Sequence, residues 1–176
     1  MDKFSFGDAA KKDIYYDEEN RRRLNIIRLA HAQLAISLAQ SGRKDLAIKV
    51  LNHFDQQFKE KDFLYGMTSN RGNQHDAIST KFLSACYLAG DLDLAKKVAA
   101  SLKKDLKQQM EYYKSLGDEN LSDEQIANNA YQLLQGRGGN LVDDQIPFAS
   151  DIVSTFQMLH QMDEWEKQTK QKGTLE

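Results

Sequence analysis

SGRKDLAIKV at residues 41–50 and AGDLDLAKKV at residues 89–98 are two copies of one ten-residue pattern, 48 residues apart. Each copy has glycine second, aspartate fifth, a leucine–alanine pair next and valine last. Glycine allows the chain to reverse between two helices, and a small alanine on the second helix permits close packing against the first. The pattern therefore predicts two similar helical hairpins with Gly42 and Gly90 at their turns. An ordinary helical bundle with two similar turns is the alternative.

The rest of the chain also has helical periodicity, since it contains one proline and no convincing alternating strand run. The predicted helices cover about 17–40, 44–59, 77–89, 92–116, a segment from Ser122 that ends before Gly136, and 148–168. The first helix is expected to bury Leu24, Ile27, Leu34, Ala35 and Leu38, with His31 in line. Ser122 and Gln125 fit a capping box at the start of the fifth helix.

A hairpin built around glycine and alanine is typical of the tetratricopeptide repeat (TPR), whose period is about 34 residues. We therefore predict an all-α, TPR-like α–α superhelix of about two helical hairpins with flanking capping helices. The chain is expected to form a single domain over residues 1–176. Its predicted parts are a lead-in at 1–16, two hairpins at 17–116, a variable insertion at 117–147 and a C-terminal helix at 148–170.

Composition limits the classes of function. Of the 176 residues, 40% are hydrophobic and 28% are charged, which is typical of a globular domain. The net charge of −2 argues against a general nucleic-acid binder, which would present a basic face. No run of about 18 apolar residues is present, so no membrane span is expected. The N-terminal stretch MDKFSFGDAAKKD lacks the apolar core of a signal peptide.

No set of residues in the sequence indicates catalysis. The four histidines make no close metal-binding pair, and Cys86 is expected to be buried and inert. The GRGG segment at 136–139 lacks the lysine and hydroxyl of a phosphate-binding P-loop, which favours a flexible loop. We therefore predict no catalytic residues, no metal site and no cofactor. Arginines 21–23 are expected to form a salt-bridged helix face with Asp17 and Glu19, and contact with an acidic partner or lipid headgroups is the alternative.

The polar segment at 66–76 is the candidate for partner binding. It lies between the two predicted hairpins, and TPR-like stacks bind partners on the face lined by the first helix of each hairpin. Its Arg71, Asn73 and His75 carry hydrogen-bonding groups that could contact a protein or peptide partner. We expect these three residues at or near a cleft. A mobile surface loop is the alternative.

Four ordered stretches carry a family resemblance: FSFG at 4–7, IYYDEENRRRL at 14–24, RLAHAQLAISLAQSGRKDLAIKVL at 28–51 and YYKSL at 112–116. Together they resemble the C-terminal soluble region of a family of multispanning membrane proteins from Bacteroidetes. That family is similar to GT-C glycosyltransferases of the protein O-mannosyltransferase type. Residues 117–147 have no counterpart in the resemblance.

The resemblance implies a noncatalytic accessory domain that follows the last membrane span of a protein glycosyltransferase. The active site of such a protein lies in its membrane part, so no catalytic residue is carried over to this chain. The implied partner is the membrane part of the parent protein or its acceptor, and the implied location is the periplasm. The alternative is a free-standing TPR-type adaptor with no connection to glycosylation, which would be cytoplasmic.

Overall fold

The computed structural model describes residues 9–11, 13–68 and 70–173, and for residues 70, 71, 172 and 173 it describes the backbone alone. The FSFG stretch at 4–7 lies outside the described residues. The helices are α1 (Glu18–Gln40), α2 (Lys44–Asp55), α3 (Gln74–Ala89), α4 (Leu92–Ser115), α5 (Asp123–Leu134) and α6 (Ala149–Gly173). A four-residue extended segment, β1 (Asn70–Asn73), precedes α3, and a short 3₁₀ turn (Ile146–Phe148) precedes α6. The predicted all-α class is confirmed, and the TPR type stays a prediction.

The chain divides into two compact units. Unit 1 comprises the described residues up to Met67 together with Ile78–Ser101. Unit 2 comprises Thr68–Ala77 and the described residues from Leu102 onward. The division falls inside α3 and inside α4, so neither unit corresponds to one of the predicted hairpins.

The two glycine turns of the repeated pattern have the same backbone geometry. Gly42 has φ +76° and Gly90 has φ +87°, a region in which a side chain would be strained. Each turn also has a hydrogen bond from the amide after the glycine to a carbonyl five residues earlier: Arg43 N to Leu38 O at 2.9 Å and Asp91 N to Cys86 O at 3.0 Å. This is the Schellman ending of a helix, and it satisfies carbonyls that would otherwise lack a donor.

The small alanines of the repeated pattern lie in the core of unit 1, as predicted. Ala47 on α2 and Ala95 on α4 are both fully buried. The apolar residues buried in the same unit include Val50, Leu51, Phe54, Phe82, Leu83, Cys86 and Val98. Both copies of the pattern therefore direct the same residue types into the interior.

The prediction for the buried face of α1 is confirmed for Ala35, which is fully buried, and wrong for Leu34. Leu34 is 49% exposed, whereas the buried positions are Asn25, Arg28, Ala32, Ala35 and Ala39. The other residues predicted for this face, Leu24, Ile27, His31 and Leu38, are half-buried. Asn25 and Arg28 were missed because they are polar, and periodicity of apolar residues does not select polar positions.

The bounds of α2 and α3 differ from the predicted ones, and the predicted cap of α5 is present. α3 begins at Gln74, so His75 lies in a helical turn and not in the predicted loop. α2 ends at Asp55, four residues before its predicted end. The capping box of α5 is confirmed, because Gln125 N donates to Ser122 Oγ and Ser122 N donates to Gln125 Oε1.

Within the described residues, no helix is both long and apolar enough to cross a bilayer.

Candidate functional site

A cleft of about 460 Å³ lies in unit 2 and is the candidate site. Its volume falls within the range of about 300–1,000 Å³ that is usual for ligand pockets. The lining residues are Thr68, Gly72, Asn73, Asp105, Gln108, Gln109, Tyr112, Tyr113, Phe148 and Asp151. They come from β1 and its flank, from α4, and from the start of α6. We call this feature the unit 2 cleft.

One face of α4 supplies half of the lining. Asp105, Gln108, Gln109, Tyr112 and Tyr113 are spaced three or four residues apart along the helix, so their side chains project to the same side. Residues on other faces of α4 support this placement from within, since Leu106 and Met110 are almost fully buried. The cleft therefore lies against a regular and well-packed helix.

Asn73 connects the end of β1 to α6. Its side chain is 9% exposed, and Nδ2 lies within hydrogen-bond distance of Asp151 O at 3.1 Å, Ser154 Oγ at 2.9 Å and Thr155 Oγ1 at 2.7 Å. An amide nitrogen has two hydrogens, so these three acceptors account for all of its donor capacity. The N–H groups of Asn73 are thus engaged within the protein.

Gln109 plays the corresponding role on α4. Its Nε2 donates to Asp76 Oδ2 and to Asp105 Oδ2, both at 2.7 Å. Its Oε1 accepts from the hydroxyl of Thr155 at 3.3 Å. Because Thr155 also accepts from Asn73, a continuous hydrogen-bonded chain runs from β1 through α6 to α4. Such a network holds the side chains at the cleft in fixed positions.

The side chain of Asp151 lines the cleft and lies close to Gly72. A Cβ at Gly72 would approach Asp151 Oδ1 to 2.9 Å, and Gly72 has φ +63°, so both space and backbone conformation require glycine there. Burial raises the pKa of the Asp151 carboxyl above its ordinary value. Among the described residues, no cation or hydrogen-bond donor lowers that pKa.

Aromatic rings form one wall of the cleft. The ring of Tyr112 packs edge-on against Phe148 with centroids 5.9 Å apart, and Tyr113 lies 5.5 Å from the same ring. Tyr113 is buried, and desolvation raises its pKa to about 12. Tyr112 is 51% exposed, so half of its surface is accessible to a ligand.

The charged side chains that the structure describes in the lining are both acidic. The lining contains two carboxylates, those of Asp105 and Asp151, and no lysine, arginine or histidine whose side chain the structure describes. The buried amides of Asn73 and Gln109 have already committed their donors. The charged groups of the described lining are therefore acceptors, and its other hydrogen-bonding side chains, on Thr68, Gln108 and Tyr112, are neutral.

The three residues predicted for partner binding have different locations. Asn73 lines the unit 2 cleft. His75 is 2% exposed in the first turn of α3 and is not among the lining residues. The side chain of Arg71 lies outside the described part of the chain. Partner binding by these residues stays a prediction.

Sequence reasoning missed the α4 and α6 residues of the site. Asp105 and Gln109 are polar residues four positions apart within the buried half of a long amphipathic helix. Thr155 interrupts the apolar face of α6 in the same way and is fully buried. A buried polar residue of this kind requires a partner, and this requirement is the signal in the sequence that could have indicated the network.

A second buried polar centre, in unit 1, surrounds Arg28. Its guanidinium donates to Ser79 Oγ at 2.6 Å and to Leu64 O at 3.1 Å. It also lies over the rings of Phe63 at 4.0 Å and Tyr65 at 4.8 Å. The adjoining cavity has a volume of only about 10 Å³, too small for a ligand larger than water. This centre therefore offers no space for a ligand.

The surface around residues 13–16 of unit 1 has mixed chemistry. Asp13 pairs with Lys59 at 2.6 Å and Lys61 at 2.7 Å, and these two ammonium groups lower its pKa to about 2. A depression of about 520 Å³ beside this cluster combines these charges with apolar side chains. Because its charges already pair with one another, this surface indicates no particular ligand.

The arginine run at the start of α1 forms part of the predicted salt-bridged face. Glu19 pairs with Arg22 at 2.7 Å and with Arg23 at 3.2 Å. The predicted pair between Asp17 and Arg21 is not formed. Asp17 instead caps α1 by accepting from Asn20 N at 2.7 Å, and Arg21 contacts the sulfur of Met67. A capping carboxylate satisfies a free helix amide and is thereby drawn away from the arginine.

No family model, curated protein or solved structure matches this chain. In the part of the chain that the structure describes, no group of three or more histidine, cysteine or acidic side chains is arranged to hold a metal ion.

Proposed function

We propose that this chain is a noncatalytic, TPR-like interaction domain that binds a polypeptide segment in the unit 2 cleft. The observation that carries this proposal is the cleft itself, with its fixed polar groups and its half-exposed ring of Tyr112. Protein interfaces are enriched in tyrosine because its ring supplies a large contact area with a polar end. The resemblance supports a role as accessory domain of a membrane protein glycosyltransferase, outside the cytoplasm.

The chemistry of the described side chains supports a noncatalytic role. Cys86 is buried, and burial raises the pKa of its thiol well above the ordinary value, which suppresses the reactive thiolate. At the cleft, Asn73 and Gln109 are held in hydrogen bonds within the protein, and neither activates a nucleophile. The two cleft carboxylates provide charge and hydrogen-bond acceptors, which suits recognition.

Selection of binding peptides tests the interaction role directly. A random peptide library displayed on phage is selected against the full chain, and the selected peptides are then measured against Tyr112→Ala. Tyr131→Ala is the matched control, because Tyr131 is 46% exposed on α5 and does not line the cleft. Loss of an aromatic anchor costs about 2 kcal/mol or more at an interface hot spot, so Tyr112→Ala should weaken binding by roughly 30-fold.

The control should bind like the wild type. The proposal would be contradicted if no peptide is selected, or if every selected peptide binds both tyrosine variants as well as the wild type. Selected peptides whose binding depends on Tyr112 alone would support it.

The role in glycosylation has a separate test. A reading frame that extends upstream through many apolar spans would support the membrane parent, whereas a stop codon immediately upstream would support the free-standing adaptor. In the full-length protein, Tyr112→Ala should reduce glycosylation of acceptors and Tyr131→Ala should not. Unchanged glycosylation in both variants would separate the cleft from that role.

A further inference from the structure

We infer that the unit 2 cleft recognises a cationic side chain, the guanidinium or ammonium group of an arginine or lysine in the bound segment. This inference rests on the proposed function and adds the chemical identity of the group that enters the cleft. It depends on three features of the described lining: its carboxylates, its committed donors and its exposed aromatic ring.

The carboxylates supply the attraction. Asp105 and Asp151 both line the cleft, and Asp105 is oriented by Gln109, whose Nε2 donates to it at 2.7 Å. Asp151 is held next to Gly72 at the start of α6, where the absence of a side chain on Gly72 makes room for the carboxylate. Partial burial of a carboxylate strengthens its interaction with a cation, because the local dielectric is lower than that of water.

The commitment of the two buried amides disfavours the opposite kind of ligand. The N–H groups of Asn73 contact acceptors on α6, and those of Gln109 contact Asp76 and Asp105. A phosphate or carboxylate ligand would need such donors and would face two negative charges in their place. A group that is itself rich in donors matches this lining, and the arginine and lysine head groups donate five and three hydrogens respectively.

The aromatic wall suits the same ligand. Tyr112 lines the cleft and is 51% exposed, and its ring contacts that of Phe148 at an interplanar angle of 81°. Cations bind over the faces of aromatic rings, and the planar guanidinium does so most often. A ring beside two carboxylates therefore favours an arginine head group that stacks and donates at once.

The test is a titration of the ¹⁵N-labelled full chain, followed by NMR, with N-acetyl-arginine methylamide. The matched probe is the citrulline analogue, which has nearly the same shape and no charge. We expect the arginine probe to shift the amide signals of Gln108, Tyr112 and Asp151. The citrulline probe should bind at least tenfold more weakly, since a charged hydrogen bond contributes roughly 1.5–3 kcal/mol and 1.4 kcal/mol is a factor of ten.

Two isosteric variants assign the effect to the cleft. Asp151→Asn should weaken binding of the arginine probe at least tenfold. Asp144→Asn makes the same change in net charge at an exposed position outside the lining, and it should bind like the wild type. The NMR spectra of the free variants show whether each one folds. A third variant, Tyr112→Ala, alters an exposed ring and tests the aromatic contact independently of the carboxylates.

The probe titrations and the variants decide whether the cleft binds a cation. The inference is overturned if arginine and citrulline bind equally, if the shifts fall outside the cleft, or if Asp151→Asn and Asp144→Asn behave alike. Shifts caused by methyl glucoside and not by arginine would overturn it in favour of a sugar site. A lysine probe shows which of the two cationic head groups is preferred.

The outcomes also separate this inference from the proposed function. Selected peptides that depend on Tyr112 but bind equally without arginine or lysine would overturn the inference and leave peptide binding intact. Arginine binding that depends on Asp151, without any peptide selected, would support the cation site and contradict the interaction role.

Discussion

Replacement of Arg28 by alanine should strongly destabilise unit 1. The guanidinium is fully buried, donates to Ser79 Oγ and Leu64 O, and lies 4.0 Å from the centre of the Phe63 ring. In Arg28→Ala, Ser79 and the Leu64 carbonyl lose this donor. Loss of a hydrogen-bond partner costs a buried polar group roughly 1–3 kcal/mol, and the vacated volume weakens packing further.

Removal of the guanidinium also removes a cost. A buried charge carries a desolvation penalty of several kcal/mol, and the substitution eliminates this penalty. The substitution also abolishes the cation–π interactions with Phe63 and Tyr65, and such interactions contribute about 2 kcal/mol for a desolvated cation. The relief of desolvation and the loss of the cation–π interactions largely offset each other. The two lost hydrogen-bond partners and the cavity then decide the result, and we expect the free energy of unfolding to fall by about 3–5 kcal/mol.

Urea denaturation followed by circular dichroism measures this change. A matched control on the same helix is Arg22→Ala, since Arg22 is 51% exposed and pairs with Glu19. An exposed ion pair contributes at most about 1 kcal/mol, so the control should unfold almost as the wild type does. The reasoning is wrong if Arg28→Ala lies within about 1 kcal/mol of the wild type.

Three further predictions concern other parts of the chain. Ala95→Leu should overpack the core of unit 1 and lower the unfolding free energy by about 1–3 kcal/mol, whereas Ala100→Leu, at an exposed position of α4, should change it by less than about 0.5 kcal/mol; equal urea midpoints would contradict the burial of Ala95. Ser122→Ala should remove the capping box of α5 and cost about 1 kcal/mol by the same assay, and no change would show that the cap is dispensable. The pKa of Asp13, about 2, lies below its unfolded value, so its contribution to stability is present above the unfolded pKa and is lost as pH falls through the folded one. Lys59→Met should raise that pKa toward 3.8 in an NMR titration, and an unchanged value would contradict the ion pair.

The elements with strong apolar periodicity could be predicted from the sequence. On α4, Leu94, Val98, Leu102 and Leu106 repeat at helical spacing, and all four are buried. On α1, periodicity selected Ala35 correctly and Leu34 wrongly, and it missed the fully buried Arg28. Arg28 was missed because it is a long charged side chain, and no hydrophobicity pattern places an arginine on a buried face.

The candidate site could be predicted only in part, for a related reason. Asn73 stands out locally, because the segment around it is dense in hydrogen-bonding side chains. Its partner Thr155 lies 82 residues away, and the hydroxyl of Thr155 then leads to Gln109 on another helix. Pairing at this distance depends on how the helices fold together. The sequence shows that a polar residue needs a partner and does not show which partner it has.

The same hydrogen bonds that hold unit 2 together also determine what its cleft can bind. The donors of Asn73 and Gln109 connect β1, α4 and α6, and this structural use removes them from the binding surface. The carboxylates of Asp105 and Asp151 remain at the cleft as acceptors. Apolar walls would be held by packing alone, and such walls would favour neither a cationic nor an anionic ligand. Here the polar network fixes both the position of the walls and their electrostatic character, so the preference for a cation follows from how the unit is built.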